Sequence, residues 1–223
     1  MQLDTMTLLK YGSKLIVLFL CIPIHEFAHA WAATKLGDVT PRYQNRLTLN
    51  PFAHLDLWGS IMIFFVGFGW GKPVQVNPNN FKNYRKGMAI TSAAGPIANL
   101  ICAFVAIIVY KIIAAVFYVN MDKMALYWLA LIFQYIAIIN LGLAVFNLIP
   151  VYPLDGQKIL SYFTSAKFNS FMSQYENIIA VVFMLLAVTG VLDRPIGMLQ
   201  NGMLWIMDKL TFWLDPILNL IIK

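Results

Sequence analysis

Charge is scarce in this chain: 12% of its 223 residues are Asp, Glu, Lys or Arg, against 60% hydrophobic ones. A water-soluble domain carries about 25% charged and roughly 45–50% apolar residues, so a free-standing soluble fold is excluded. Mean hydropathy is +0.71, the level of a polytopic membrane protein. Cysteine is almost missing. Cys21 and Cys102 both fall in apolar stretches, which excludes a disulfide framework and leaves packing as their role. Histidine is nearly as rare, with three in all. There is no polar block long enough for a separate soluble domain, no internal repeat and no low-complexity tract. The net charge of +6 does not make a nucleic-acid binder, because the basic residues sit in short loops beside apolar runs, where they face anionic lipid.

What is present is a series of apolar runs. Residues 15–34 are long enough to cross the hydrocarbon, which takes about 20 residues. This run extends beyond the apolar region of a leader peptide and lacks its cleavage site, so it is read as a span. Residues 59–70 are apolar but short, a candidate for re-entry. Residues 71–78 alternate and end in Pro78, a pattern of an edge strand or hairpin at the membrane surface that offers a substrate strand a place to add. Long apolar helices are expected at 88–119, kinked near Gly95-Pro96, and at 125–149. Asp155-Gly156 begins a helix to about Phe163, residues 177–192 are a shorter run, and 197–222 form interfacial or half-buried helices. The expected fold is all-α and polytopic, with about five to six transmembrane or re-entrant helices and a small membrane-associated β region near residues 38–78. One membrane-embedded domain is expected over 1–223, with a core at 12–165 and C-terminal helices at 175–223.

Orientation follows from loop lysines and arginines. The 35–86 connection holds Lys35, Arg42, Arg46, Lys72, Lys82, Arg85 and Lys86, and the 151–174 connection holds Lys158 and Lys167; together these are 9 of the 16 basic residues. Both connections are therefore assigned to the cytoplasm.

The chemistry concentrates in the first span, as His25-Glu26-Phe27-Ala28-His29. H-E-x-x-H on a helix is the zinc-metalloprotease motif: the two histidines share one face and hold one metal, with Glu26 between them as candidate general base. Ionisable groups at membrane depth are costly and mark a functional site by default. A catalytic zinc takes three protein ligands, so a third is needed. His54 is the only other histidine. The strongest candidate is Asp155, set among Pro150, Pro153 and Gly156 in a broken apolar stretch, since broken backbone at depth is tolerated only where it lines protein or water. The alternative is a loop in which Asp155 caps the next helix. Cys21, one turn before His25, is read as packing. Asn147, then Asn140, are candidate oxyanion or substrate donors, the other reading being helix-to-helix hydrogen bonds. His54 is a candidate cleft residue beside Asp56, against the plainer reading of a local pair in a polar loop. Asn99 is read as a contact to a neighbouring span.

The paired motifs resemble the site-2 protease family of intramembrane zinc metalloproteases. That family carries H-E-x-x-H on one transmembrane helix and an N/L-P-x-x-D-G-type motif on a later one, here His25–His29 and Asn147–Pro150 leading to Pro153-Leu154-Asp155-Gly156. Leu49-Asn50-Pro51 through Asp56 with Gly59, and Ala94-Gly95-Pro96 through Asn99, also match. The resemblance spans about residues 21 to 160 and says little about 161–223. It implies one Zn2+ per chain, held by His25, His29 and Asp155, with Glu26 activating water. It also implies substrates that are single-pass proteins or remnant transmembrane segments. A multi-pass location in a bacterial-type plasma membrane is expected, and the loop charges, with His25 and His29 about two turns from Lys35, put the site shallowly on the cytoplasmic side. Larger members carry PDZ or CBS domains, for which this chain has no room, so the resemblance is to a minimal member. A membrane ion transporter using the same His/Glu/Asp set is the alternative, and a catalytically dead scaffold, against which Glu26 stands, is a third.

Overall fold

The structure is a computed structural model that describes residues 5–66 and 69–222. The first span is one helical run in three parts: α1 (Thr5–Ile16), a π-helical turn (Val17–Cys21) and α2 (Ile22–Lys35). The π turn has a local cause. Pro23, buried near the start of α2, has no N–H to offer the preceding turn, and Ile22 N–H reaches back to the Val17 carbonyl instead. Such single π turns interrupt α-helices most often at functional sites; this one ends four residues before His25.

Between this span and the next lie α3 (Thr40–Tyr43), a 3-10 turn at Pro51–Ala53 and α4 (Leu57–Phe65). α4 has nine residues, about 14 Å of helix, half of what the hydrocarbon requires. Asp56 caps its start by accepting from Gly59 N at 2.8 Å, and the Lys14 ammonium donates to the Phe64 carbonyl at its other end, a favourable place for a cation. Residues 67–68, part of the run read as a re-entrant candidate, lie outside the described residues.

α5 (Tyr84–Val119) and α6 (Met124–Leu148) are the two longest helices and pack together most extensively. Alanines make this possible: Ala103 and Ala106 of α5 and Ala137 of α6 are buried around Leu141, and small residues let helix backbones approach in lipid. α7 (Asp155–Phe163) follows a short irregular connection, then α8 (Ala166–Gln174), α9 (Glu176–Val188), α10 (Asp193–Leu210) and α11 (Asp215–Ile222). The C-terminal helices are attached to α5 by charge. Lys111, inside α5, donates to Asp208 Oδ1 of α10 at 2.9 Å and to Asp215 Oδ1 of α11 at 3.0 Å.

Among the described residues, three helical stretches are long and apolar enough to cross a membrane: Tyr11–Lys35, Tyr84–Val119 and Met124–Leu148. The bent pair Ala166–Gln174 and Glu176–Val188, at 66° to each other, makes up to four. Of the expected five to six transmembrane or re-entrant helices, three or four are thus long enough to cross, while α4, α7, α10 and α11 are too short or too polar to do so alone. Outward-facing Ile101, Val105, Leu129 and Ile132 are exposed, an apolar surface that lipid covers.

The all-α class holds, but the β region does not. Among the described residues there is no strand, only one antiparallel bridge between Leu55 and Gly71. Lys72 N donates to the His54 carbonyl beside this bridge, but farther along the segment the amides turn to side chains: Val74 N donates to Glu26 Oε2 at 3.0 Å and Asn77 N to Asp38 Oδ2 at 2.8 Å. With no neighbouring strand to pair, the alternation of 71–78 makes a strap and not a sheet.

Candidate metal centre

His25 and His29 stand one turn apart on α2, buried, with their Nε2 atoms 3.0 Å from each other. Asp155 Oδ2, brought in from the first residue of α7, lies 3.3 Å from His25 Nε2 and 3.1 Å from His29 Nε2. Ligand atoms at zinc distances of about 2.0–2.2 Å in tetrahedral geometry stand about 3.3 Å apart, so this triangle is the base of such a site. Among the described residues, His25, His29 and Asp155 are the one group of three candidate ligands whose atoms converge.

The groups that hold the histidine rings from behind fit a metal as well. His29 Nδ1–H donates to the Thr91 carbonyl at 2.7 Å, and His25 Nδ1–H to Asn99 Oδ1 at 2.5 Å. With both Nδ1 atoms acting as donors, both Nε2 lone pairs turn inward toward the carboxylate. Two lone pairs and an anion facing one point are mutually repulsive, and a divalent cation at that point resolves it.

α5 presents the other side of the site. Thr91, Gly95 and Asn99 recur every four residues and so share one face of the helix. A Cβ at position 95 would overlap His29 Nε2 and come within 2.6 Å of His25 Cε1; only glycine lets α5 press against the imidazoles. α7 is seated with equal tightness. A Cβ at Gly156 would overlap the Leu148 and Ile149 carbonyls at the end of α6. At the far end of α7, the Arg85 guanidinium donates to the Ser161 and Thr164 carbonyls, where a helix leaves acceptors unpaired. Asp155 is therefore positioned from both ends of its helix. It does not cap α7: Leu154 is the N-cap and no side-chain cap bond forms there.

The triangle opens on a cavity of about 1090 Å³ that Glu26, Val74, Asn147 and Lys158 also line. Small-molecule pockets run to roughly 300–1,000 Å³, so this one has room for a length of chain. Glu26 faces it from the same helix as the histidines. Asn147 lines it with its amide donating to the Leu143 carbonyl one turn back at 2.9 Å.

Asn140 has another place. It is fully buried, accepts from Asn99 Nδ2 at 2.7 Å, and donates to the Ile136 carbonyl at 2.8 Å and to Cys21 Sγ at 3.3 Å. That leaves it no donor for a substrate oxyanion; it supports Asn99, which orients His25. His54 is also fully buried and is not part of the cavity wall. Its Nε2–H donates to the Thr48 carbonyl at 2.7 Å, and its own carbonyl accepts from Lys72 N at 2.7 Å. It ties the 48–55 loop to the strap. Cys21 is buried beside Asn140 and is no part of the ligand triangle.

The model of Peptidase family M50 matches residues 13–190. The chain belongs to this family, the site-2 proteases. M50 membership makes it a membrane metalloprotease. Among its relatives is YwhC of Bacillus subtilis (strain 168), provisionally named a zinc metalloprotease. That protein is 38% identical over 78% of this chain and 79% of its own length. Rip2 of Mycobacterium tuberculosis (strain H37Rv), named in the same way, is 28% identical over 61% of this chain and 51% of its own length. Rip2 of Mycolicibacterium smegmatis is 26% identical over 86% and 74%. No solved structure matches. The M50 match ends at residue 190, short of α10 and α11, which carry the two aspartates bound to Lys111.

One contributor to the site escapes a reading of residues: the Thr91 carbonyl is backbone and leaves no trace in residue type. Gly95 and Asn99 lie in the Ala94–Asn99 stretch that resembles the family, and Asn99 does contact neighbouring helices as expected, but their place against the ligand histidines shows only in the packing.

Proposed function

We propose that this chain is an intramembrane zinc endopeptidase that hydrolyses peptide bonds in or near transmembrane segments, its substrates being single-pass or remnant membrane-anchored proteins. The observation that carries the reading is the inward-facing triangle of His25, His29 and Asp155 with Glu26 beside it on one cavity wall, on a helix long enough to span. One Zn2+ per chain would be held by the three ligands, where it supplies Lewis acidity to an attacking water and to a carbonyl. Glu26 takes the proton of the attacking water and delivers it to the leaving amine. Its carboxylate is held on one oxygen by the Val74 amide, which leaves the other for the proton. Asn147, which lines the same cavity, donates to the developing oxyanion once its amide turns from the Leu143 carbonyl.

The basic connections on either side of α5 and α6 favour a cytoplasmic side for the ligand-bearing ends of the helices in a bacterial-type plasma membrane. One domain holds the chemistry, with a core over 12–165 and C-terminal helices over 175–223 packed on it.

Co-expression of single-pass candidate substrates with the wild type and with Glu26→Gln tests the function. Both proteins are expected to retain zinc, and cleavage is expected to fall by about 10²–10⁴-fold in the variant, the contribution of a general base. Zinc moved across vesicles irrespective of Glu26, with nothing cleaved, would replace the peptidase by the transporter.

A further inference from the structure

Asp38 is a fully buried carboxylate that takes part in no ion pair among the described residues. A charge in that position is costly unless hydrogen bonds replace its water. It has four. Oδ1 accepts from Thr40 N at 3.1 Å, from Thr40 Oγ1 at 2.6 Å and from Asn80 Nδ2 at 2.7 Å; Oδ2 accepts from Asn77 N at 2.8 Å. These bonds hold its carboxyl below the usual carboxylate range, although burial on its own would raise it. The two oxygens thus divide their work: Oδ1 closes the local turn and holds the Asn80 side chain, and Oδ2 takes the strap backbone.

The strap, residues 71–80, is tied at three places. Its start is joined to the 48–55 loop by the Leu55–Gly71 bridge and by Lys72 N donating to the His54 carbonyl. Its end is held by Asp38. Between them, Val74 N donates to Glu26 Oε2. Glu26 lies in α2 and Asp38 three residues past its end, so the strap is bonded twice to one helical run, at Val74 and again at Asn77. The Asp38 tie therefore sets where the Val74 amide stands along α2. That amide is the only hydrogen-bond partner of the Glu26 carboxylate among the described residues. Gly37 permits the close approach: it has φ +108°, and a Cβ there would come within 3.3 Å of the Asn80 carbonyl.

We propose that Asp38 is a positioning residue for Glu26, acting through the strap: it fixes the Val74 amide, which aims the Glu26 carboxylate into the cavity. The inference rests on the reading of Glu26 as the general base. A glutamate side chain free to turn loses the alignment on which proton transfer depends, and small misplacements carry large rate penalties.

Two variants of the full chain, in lipid nanodiscs with zinc bound, separate this from a plain loop cap. Asp38→Asn is isosteric and keeps an oxygen for Thr40 and Asn80, but sets an NH2 against the Asn77 N–H. Thr40→Ala removes the hydroxyl bond to Oδ1 and a long 3.5 Å contact from Asn80 Nδ2, but leaves the Asn77 N–H on Oδ2. In Asp38→Asn, kcat is expected to fall about 10-fold with KM within about 2-fold, while Thr40→Ala keeps kcat within about 2-fold. Hydrogen exchange gives a readout independent of catalysis: the Val74 and Asn77 amides are expected to exchange about 10-fold faster in Asp38→Asn, with zinc content unchanged. Equal kcat losses in the two variants, a loss carried by KM, or a rise in kcat, meaning that the strap restrains Glu26, each overturn the inference. So does unchanged exchange at Val74. Should the wild type cleave nothing, the peptidase reading fails separately, and exchange at Val74 alone decides whether Asp38 reaches Glu26.

Discussion

Asn99 does for His25 what a backbone carbonyl does for His29, and only the former can be removed by substitution. Asn99→Leu keeps the branched shape and the number of heavy atoms, deletes the acceptor for His25 Nδ1–H and leaves Asn140 Oδ1 without its donor. Loss of a group that orients a ligand histidine lowers metal affinity by about 10–100-fold, and competition against a zinc chelator is expected to show a loss of that size. Affinity equal to wild type would mean that the α2 backbone alone orients the imidazole. At this scale the motif residues were legible because a helix places i and i+4 on one face, and because an acid amid two prolines in an apolar stretch needs a reason to be there. Asn140 was legible as functional but not in its role. Its depth in the α5–α6 contact decides that, and depth is a property of packing.

At the scale of elements, the strap shows how a residue pattern can mislead. Residues 71–78 alternate as a surface strand does, yet alternation reports which side chains face in, and a sheet also needs a neighbour with free amides and carbonyls. Here the inward contacts are two carboxylates, Glu26 and Asp38, far apart in sequence from the strap. The extended geometry still leaves the strap able to guide a substrate chain, and two prolines separate its duties. Val74→Pro deletes the amide that holds Glu26. Val76→Pro touches neither Glu26 nor Asp38, so it disturbs only what the strap offers to a substrate. If substrate adds along the strap, Val76→Pro retains zinc and raises KM by about 10-fold, the worth of roughly one or two backbone hydrogen bonds. Unchanged KM for a helical membrane substrate would remove the strap from substrate binding and leave it to Glu26 alone.

Over the whole molecule, the site sits where three independently anchored pieces meet: α2 with its π turn, the Thr91–Asn99 face of α5, and the start of α7. The Lys111 cluster belongs to a different part of this plan. It lies 12 residues beyond Asn99 on α5, about 18 Å along the helix. There it pins α10 and α11, the helices past the M50 match, to the longest span. Lys111 is largely buried, its side chain 15% exposed, whereas those of Asp208 and Asp215 are 60% and 43% exposed. Solvent therefore screens much of the attraction, and removing the cation leaves two aspartates that water can partly serve. Lys111→Met is expected to destabilise the protein by about 1–2 kcal/mol, between the value of a surface pair and that of a buried one. The helices affected are α10 and α11, so thermal unfolding in detergent should begin earlier while zinc content and cleavage at lower temperature stay at wild-type levels. Loss of zinc in this variant would mean that the C-terminal helices hold the metal site together. That outcome is testable against geometry already in place: α10 reaches the cavity through Ile196 and Gln200, and Gln200 Nε2 donates to the Ile138 carbonyl of α6 at 2.7 Å. A molecule in which α10 only closes the cavity keeps its zinc when Lys111 is replaced, because His25, His29 and Asp155 are all positioned by α2, α5, α6 and α7.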